Sequence, residues 1–121
     1  MPSRRRTPST APVWVKVCAY EALEPDVGVA ALVKGKQVAL FRLSDGTLYA
    51  VGNRDPFSGL QSMARGVVGL RDGMPFVAAP RGREIFDLTT GRCTDDPTME
   101  LHSYQVRVVD GTIEVCVNVR N

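Results

Sequence analysis

Short runs in which apolar and polar residues alternate dominate this chain, and they predict strands rather than helices. The first such run lies near the N-terminus, where Val13, Val15 and Val17 alternate with Trp14 and Lys16. A period of two places successive side chains on opposite faces of a sheet. Eight further runs are predicted to be strands, at residues 29–34, 37–43, 47–51, 66–70, 74–79, 85–88, 106–109 and 112–119.

Turn residues separate these runs. Gly35 lies between two of them, and the dipeptide Asp-Gly occurs between apolar segments at Asp45-Gly46, Asp72-Gly73 and Asp110-Gly111. Asp and Gly tolerate the positive φ angles of tight hairpin turns, so the pattern predicts consecutive antiparallel hairpins. The two helical candidates, at residues 21–23 and 60–65, are short and have no sustained period of 3.6. We therefore predict an all-β fold of small stacked antiparallel sheets, with an inserted subdomain at residues 53–91.

Length and composition indicate one folded domain. The chain has 121 residues, of which 44% are hydrophobic, enough for a self-standing core. Residues 1–12 are rich in Ser, Thr, Pro and Arg and lack apolar periodicity, so we predict a flexible tail there and a single domain at residues 13–119. No apolar segment follows Arg4-Arg5-Arg6 as an export signal requires, and no run reaches the roughly 20 apolar residues that span a bilayer. We therefore expect a cytoplasmic protein without membrane contact.

Net charge and the reactive side chains argue against two classes of function, nucleic-acid binding and catalysis. The formal charge of +2 depends on the three arginines of residues 1–12, and the remainder has 12 basic and 13 acidic residues. A nearly neutral domain argues against nucleic acid as a partner. No two of the three cysteines have the C-x-x-C spacing of a zinc or dithiol site. The chain has one histidine and no sequence motif that pairs it with a nucleophilic Ser or Cys. We therefore predict no catalytic residue in this chain.

Two loops in the inserted subdomain have matching sequences. The first is Asn53 to Gly59, and the second runs from Ala79 to Gly91. Each contains Pro and Gly and each follows an apolar strand. The layout resembles a Rieske iron-sulfur domain, whose loops read Asn-x-Cys-Pro-His-x-Gly and Cys-Pro-x-His-Gly-x-x-Phe-Asp-Leu-x-Thr-Gly. The residues that fit this motif are Asn53, Pro56, Gly59, Pro80, Phe86, Asp87, Leu88, Thr90 and Gly91.

The ligand positions of that motif hold other residues. Asp55, Phe57, Ala79 and Gly82 stand where the family places its two Cys and two His. A Rieske centre needs two thiolates on one iron and two imidazoles on the other. Three of the four residues have no donor atom, and the single carboxylate of Asp55 cannot hold two irons. We therefore predict a Rieske-like scaffold with degenerate cluster positions and no metal.

A degenerate Rieske scaffold of this kind resembles the small subunit of the assimilatory NAD(P)H-dependent nitrite reductase. The resemblance extends from Trp14 to about Val117 and rests on Asn53, Asp55, Pro56, Phe57, Arg65-Gly66, Val77-Ala78, Pro80, Phe86, Leu88, Gly91 and Cys93. It implies a large-subunit partner that carries siroheme, a 4Fe-4S cluster, FAD and the NAD(P)H site. The complex would reduce nitrite to ammonium, and this chain would support it without a cofactor of its own.

Basic residues of the paired loops suggest how such a chain works. Arg54, Arg65, Arg81 and Arg83 are expected near the loop apex, where they would dock an acidic patch of the large subunit. Solvated surface charges are the alternative explanation. Phe57 is expected to fill the space left by the absent iron atoms, so that Phe57→Ala would destabilise the loops. Two other functions stay open: a Rieske-type 2Fe-2S ferredoxin, and a non-redox β-domain interaction module.

Overall fold

The computed structural model describes residues 10–120, the side chain of residue 120 excepted, and within them ten strands form three antiparallel sheets. The strands are β1 (Thr10–Ala19), β2 (Val29–Val33), β3 (Lys36–Arg42), β4 (Leu48–Gly52), β5 (Val67–Arg71), β6 (Met74–Ala78), β7 (Ile85–Asp87), β8 (Ser103–Tyr104), β9 (Val106–Val109) and β10 (Thr112–Arg120). Two short 3₁₀ helices, Tyr20–Ala22 and Met63–Arg65, complete the elements. No helix in residues 10–120 has the length and apolarity to cross a membrane.

The middle sheet separates two hydrophobic cores. Its strand order is β2-β3-β4-β8, whereas the other two sheets are ordered β1-β10-β9 and β5-β6-β7. Val38 and Leu40 of β3 pack on one face with the core that includes Ile113, while Ala39 and Phe41 pack on the other face. Because both faces are covered, β3 shows a continuous buried run instead of an alternating one. The prediction of an all-β fold of small stacked antiparallel sheets is confirmed.

The hairpin turns follow the predicted chemistry. Both residues have positive φ at Lys34-Gly35, Asp72-Gly73 and Asp110-Gly111, as a two-residue type I′ turn requires. The turn at Asp45-Gly46 differs, because among these two residues only Gly46 has a positive φ, of 88°. There the Thr47 amide donates a 2.9 Å hydrogen bond to Asp45 Oδ1, and this bond lowers the pKa of the Asp45 carboxyl.

Two features differ from the sequence predictions. Strand β1 begins at Thr10 and its first three residues pair with residues 118–120 of β10, so the assignment of residues 10–12 to a flexible tail is wrong. Residues 1–9 of that predicted tail lie outside the described residues. Strand β8 was not predicted, since its two residues are too short a run to show a period. It completes the middle sheet by pairing with Ala50 and Val51.

Candidate functional site

The first loop is a closed turn held by two backbone hydrogen bonds. The amide of Asp55 donates to the carbonyl of Leu60 over 2.8 Å, and the amide of Gly59 donates to the carbonyl of Asp55 over 2.7 Å. The chain can close in this way because Gly59 has a φ of 79°, in the left-handed region that glycine adopts without steric cost.

The second loop repeats the first in its backbone. The amide of Ala79 donates to the carbonyl of Glu84 over 2.8 Å, and the amide of Arg83 donates to the carbonyl of Ala79 over 3.0 Å. The fifth residue again has a positive φ, 61°, but here it is Arg83 and not glycine. The matched pair that the sequence indicates is therefore present in the hydrogen bonding of the two backbones.

A third turn of the same type, at residues 87–91, forms the end of the segment that runs from Ala79 to Gly91. The amide of Asp87 donates to the carbonyl of Arg92 over 2.9 Å, and the amide of Gly91 donates to the carbonyl of Asp87 over 2.7 Å. Strand β7 separates this turn from the second loop. Residues 55–59 and 87–91 share the pattern Asp-x-x-x-Gly, which is the signal in the sequence for their common geometry.

The Asp55 side chain caps its own loop. Its Oδ1 accepts hydrogen bonds from the amides of Phe57, at 2.8 Å, and Ser58, at 3.4 Å. Asp87 does the same for the amide of Thr89 at 2.8 Å. These are Asx turns, in which the carboxylate of each Asp stabilises the backbone of its own loop. Asp55 is buried, and its Oδ2 has no hydrogen-bond partner among the described residues.

Asn53 anchors the first loop to the rest of the domain. It is 2% exposed, and its amide donates to the carbonyl of Gln37 over 3.1 Å. Its side-chain Oδ1 accepts from the amide of Ala64 at 2.8 Å, and its carbonyl accepts from Ser62 and Met63. The loop is therefore fixed both to β3 and to the 3₁₀ helix Met63–Arg65.

The residues at the four ligand positions do not fit a [2Fe-2S] centre. Ala79 is buried and Phe57 has no donor atom, while Asp55 uses Oδ1 for its own loop. A Cβ atom at Gly82 would collide with both carboxylate oxygens of Glu84, so that carboxylate occupies the direction a side chain at position 82 would take. Within residues 10–120, no group of three or more His, Cys, Asp or Glu side chains is placed to hold a metal ion.

Phe57 does not fill an interior space. It is 40% exposed, and its ring meets the buried ring of Phe86 edge-on, with centroids 6.2 Å apart and planes at 60°. The core below the loops is instead occupied by Phe86, Met63 and Ala79, which belong to one buried cluster. The expectation that Phe57 replaces the iron atoms as a filler is therefore wrong, because the ring lies on the surface side of this cluster.

The predicted arginines are all exposed, but they do not all lie on the loops. Arg81 and Arg83 are in the second loop and Arg54 is in the first, with its Nη2 3.5 Å from where a Cβ on Gly59 would lie. Arg65 ends the 3₁₀ helix behind the first loop. None of the four is in an ion pair among the described side chains, whose pairs are Arg42 with Glu21 and Arg107 with Glu114.

The carboxylates of the two loops are buried or half-buried. Asp55 is buried and Glu84 is half-buried, with Oε1 inaccessible and without a hydrogen-bond partner among the described residues. The exposed charges of the loops are therefore cationic, and two apolar side chains, Phe57 in the first loop and Leu60 directly after it, are exposed as well. Arginine beside exposed aromatic and aliphatic groups is the composition enriched in protein interfaces.

The left-handed conformation of Arg83 leads to a first prediction. A side chain in this region costs roughly 1–2 kcal/mol, whereas glycine adds about 0.4–1 kcal/mol of chain entropy to the unfolded state. Arg83→Gly is therefore expected to raise the free energy of unfolding by up to about 1 kcal/mol. Arg81→Gly is the control, because Arg81 does not have a positive φ and should lose stability. Urea denaturation measures the free energy of unfolding of both variants. Equal losses of stability would show that Arg83 is not strained in its left-handed conformation.

Known proteins share this sequence and fold over most of the chain. Residues 13–116 match the sequence model of a family described as the Rieske-like [2Fe-2S] domain. The nitrite reductase (NADH) small subunit of Salmonella typhimurium is 33% identical over 103 residues, which cover 84% of this chain and 95% of that protein. A crystal structure from Mycobacterium tuberculosis, assigned as an NADH-dependent nitrite reductase small subunit, has a TM-score of 0.85 and 47% identity, covering 88% of this chain and 96% of that one.

A much larger protein contains a similar segment. The nitrite reductase [NAD(P)H] large subunit of Klebsiella oxytoca is 30% identical to this chain over 102 residues. The match covers 84% of this chain but 11% of that large subunit. In that relative, a segment similar to most of this chain is part of a far longer polypeptide.

Proposed function

Because this chain belongs to the Rieske-like [2Fe-2S] domain family and, within it, to the small subunits of NADH-dependent nitrite reductase, we propose that it supports a large subunit in reducing nitrite to ammonium in nitrite assimilation. The observation that carries the proposal is the match over 95% of a small subunit's own length. The relative from Klebsiella oxytoca adds support, since a segment similar to this chain lies within a large subunit there.

In this proposal the chain binds the large subunit and does not transfer electrons. Its four motif positions lack the two thiolates and two imidazoles of a Rieske centre, and the Glu84 carboxylate lies where a side chain at position 82 would point. Siroheme, the 4Fe-4S cluster, FAD and the NAD(P)H site are assigned to the large subunit. In this proposal the complex acts in the cytoplasm and takes its electrons from NADH or NADPH, the two reductants that the names of the relatives give.

The paired loops are the proposed docking face. Their exposed charges are arginines, at positions 54, 81 and 83, and no neighbouring carboxylate neutralises them among the described side chains. Arg65 borders this face from the 3₁₀ helix. An acidic surface on the large subunit would complement these charges. Such complementarity determines the orientation and the association rate of a complex more than its affinity. The exposed Phe57 would supply apolar contact area at the centre.

Co-expression with the large subunit tests the proposal. We expect the two chains to co-elute in size-exclusion chromatography, and nitrite-dependent NADH oxidation to be higher, or to persist longer, with this chain than without it. Arg81→Glu combined with Arg54→Glu should weaken the complex, while Arg71→Glu, at the end of β5 away from the second loop, is the control at an exposed position. Absence of a complex for the unaltered chain would contradict the proposal.

Iron analysis separates the proposal from the ferredoxin alternative. A Rieske ferredoxin must contain two irons and two acid-labile sulfides per chain and absorb visible light. We expect the purified chain to be colourless and to contain neither in stoichiometric amount. A stoichiometric cluster would instead favour the electron carrier and would require donors other than the residues at the four motif positions.

A further inference from the structure

The β2–β3 hairpin lies beside the first loop, although the two are separated in sequence. The amide of Asn53 donates to the carbonyl of Gln37, the second residue of β3, over 3.1 Å. Gln37 also lines one open cleft of about 280 Å³ together with Arg54 and Pro56. The end of this hairpin and the base of the first loop therefore belong to one continuous surface.

The hairpin presents two cations and one large apolar side chain at this end of the molecule. Lys34 and Lys36 flank Gly35 in the exposed turn, and neither is in an ion pair among the described side chains. Leu32 is 73% exposed. It pairs with Gln37 across the strands, so both side chains lie on the same face of the sheet. Leu32 thus points to the side on which the cleft and the first loop lie, whereas Lys36 pairs with the buried Val33 and lies on the opposite face.

Charge is distributed unevenly between the two ends of the middle sheet. Val38 pairs with Gly52 at the loop end and Arg42 pairs with Leu48 at the far end. The turn after Arg42 carries Asp45, and nearby exposed acids at the far end are Glu21, Glu24 and Asp26. At the loop end, the exposed charges of residues 32–37 and 54–61 are all cationic, and Glu100 lines the opposite wall of the cleft.

We infer that Leu32 and Lys34 extend the docking face of the first loop into a single surface, the hairpin-loop face, completed by Arg54, Phe57 and Leu60. The partner is the large subunit of nitrite reductase, presenting an apolar patch bordered by carboxylates, because the hairpin-loop face has exposed apolar side chains between cations. Apolar side chains at the centre and charges at the edge are the usual arrangement of a specific interface. The inference rests on the proposed function.

Binding kinetics with the purified large subunit test this surface. Lys34→Gln is expected to lower the association rate constant about threefold at low ionic strength, since edge charges act on encounter. Leu32→Ser is expected to raise Kd about tenfold, mainly through faster dissociation. The matched controls are Lys16→Gln for charge and Val109→Ser for an exposed apolar residue on β9, and both should bind like the unaltered chain.

The outcomes separate the inference from the proposed function. All substituted positions are exposed, so circular dichroism melting curves should match that of the unaltered chain. If the unaltered chain binds and the hairpin variants behave like their controls, the hairpin is not part of the interface and the inference is overturned while the proposed function stands. If the unaltered chain does not bind the large subunit at all, both are overturned.

Discussion

Gly91→Ala is expected to lower the free energy of unfolding by at least about 3 kcal/mol, because two independent penalties act at this residue. Its φ of 83° lies in the left-handed region, where a Cβ atom costs roughly 1–2 kcal/mol. The new Cβ would also collide with the carbonyl oxygen of Leu101. The backbone there is held, since the Leu101 amide donates to the Gly91 carbonyl over 2.7 Å. Urea denaturation measures the loss.

Gly73→Ala is the matched control. Gly73 has nearly the same φ, 81°, but a Cβ atom there would meet no atom within 4 Å. Its cost should therefore be the conformational penalty alone, about 1 kcal/mol. Equal losses at the two positions would show that Leu101 moves aside without cost, and would contradict the close packing of the third turn against the segment after it.

The regular part of the fold could be predicted from local sequence. Period-two runs and the Asp-Gly turns determine hairpins between neighbouring segments, and nine strands were predicted at or within a few residues of their observed positions. Strand β8 could not be predicted, because its pairing with β4 depends on residues far apart in the chain. The same limit applies to the start of β1, where Thr10 to Pro12 are ordered by pairing with β10.

The candidate site likewise combines features that local sequence predicts with contacts between residues far apart in the chain. Spacing of Pro and Gly was enough to predict two matched loops, and the Asx role of Asp55 follows from its own sequence neighbours. The direction of Phe57 was not predictable, since it depends on Met63, Ala79 and Phe86 having already filled the core below. The position of the Glu84 carboxylate in front of Gly82, and the closeness of the β2–β3 hairpin to Asn53, are likewise contacts that no local pattern records.

Phe86→Ala is expected to lower the free energy of unfolding by about 3–5 kcal/mol, the usual cost of removing a fully buried phenyl ring from a core. Phe86 is 0% exposed, pairs with Val77 across β6 and β7, and packs in the core that includes Val77, Met63 and Ala79. Few side chains could collapse into the space, because β7 is fixed at both ends by the second and third turns. Thermal or urea denaturation of the purified variant provides the measurement.

Phe57→Ala is the control that distinguishes a core residue from a contact residue in the same aromatic pair. With 40% of Phe57 exposed, its truncation should cost only about 1 kcal/mol of stability, mostly from the edge-on contact with Phe86. The same substitution should weaken binding to the large subunit at least about tenfold if the ring is a central anchor of the interface. A stability loss as large as that of Phe86→Ala, with unchanged binding, would show that Phe57 is a core residue and does not belong to the docking face.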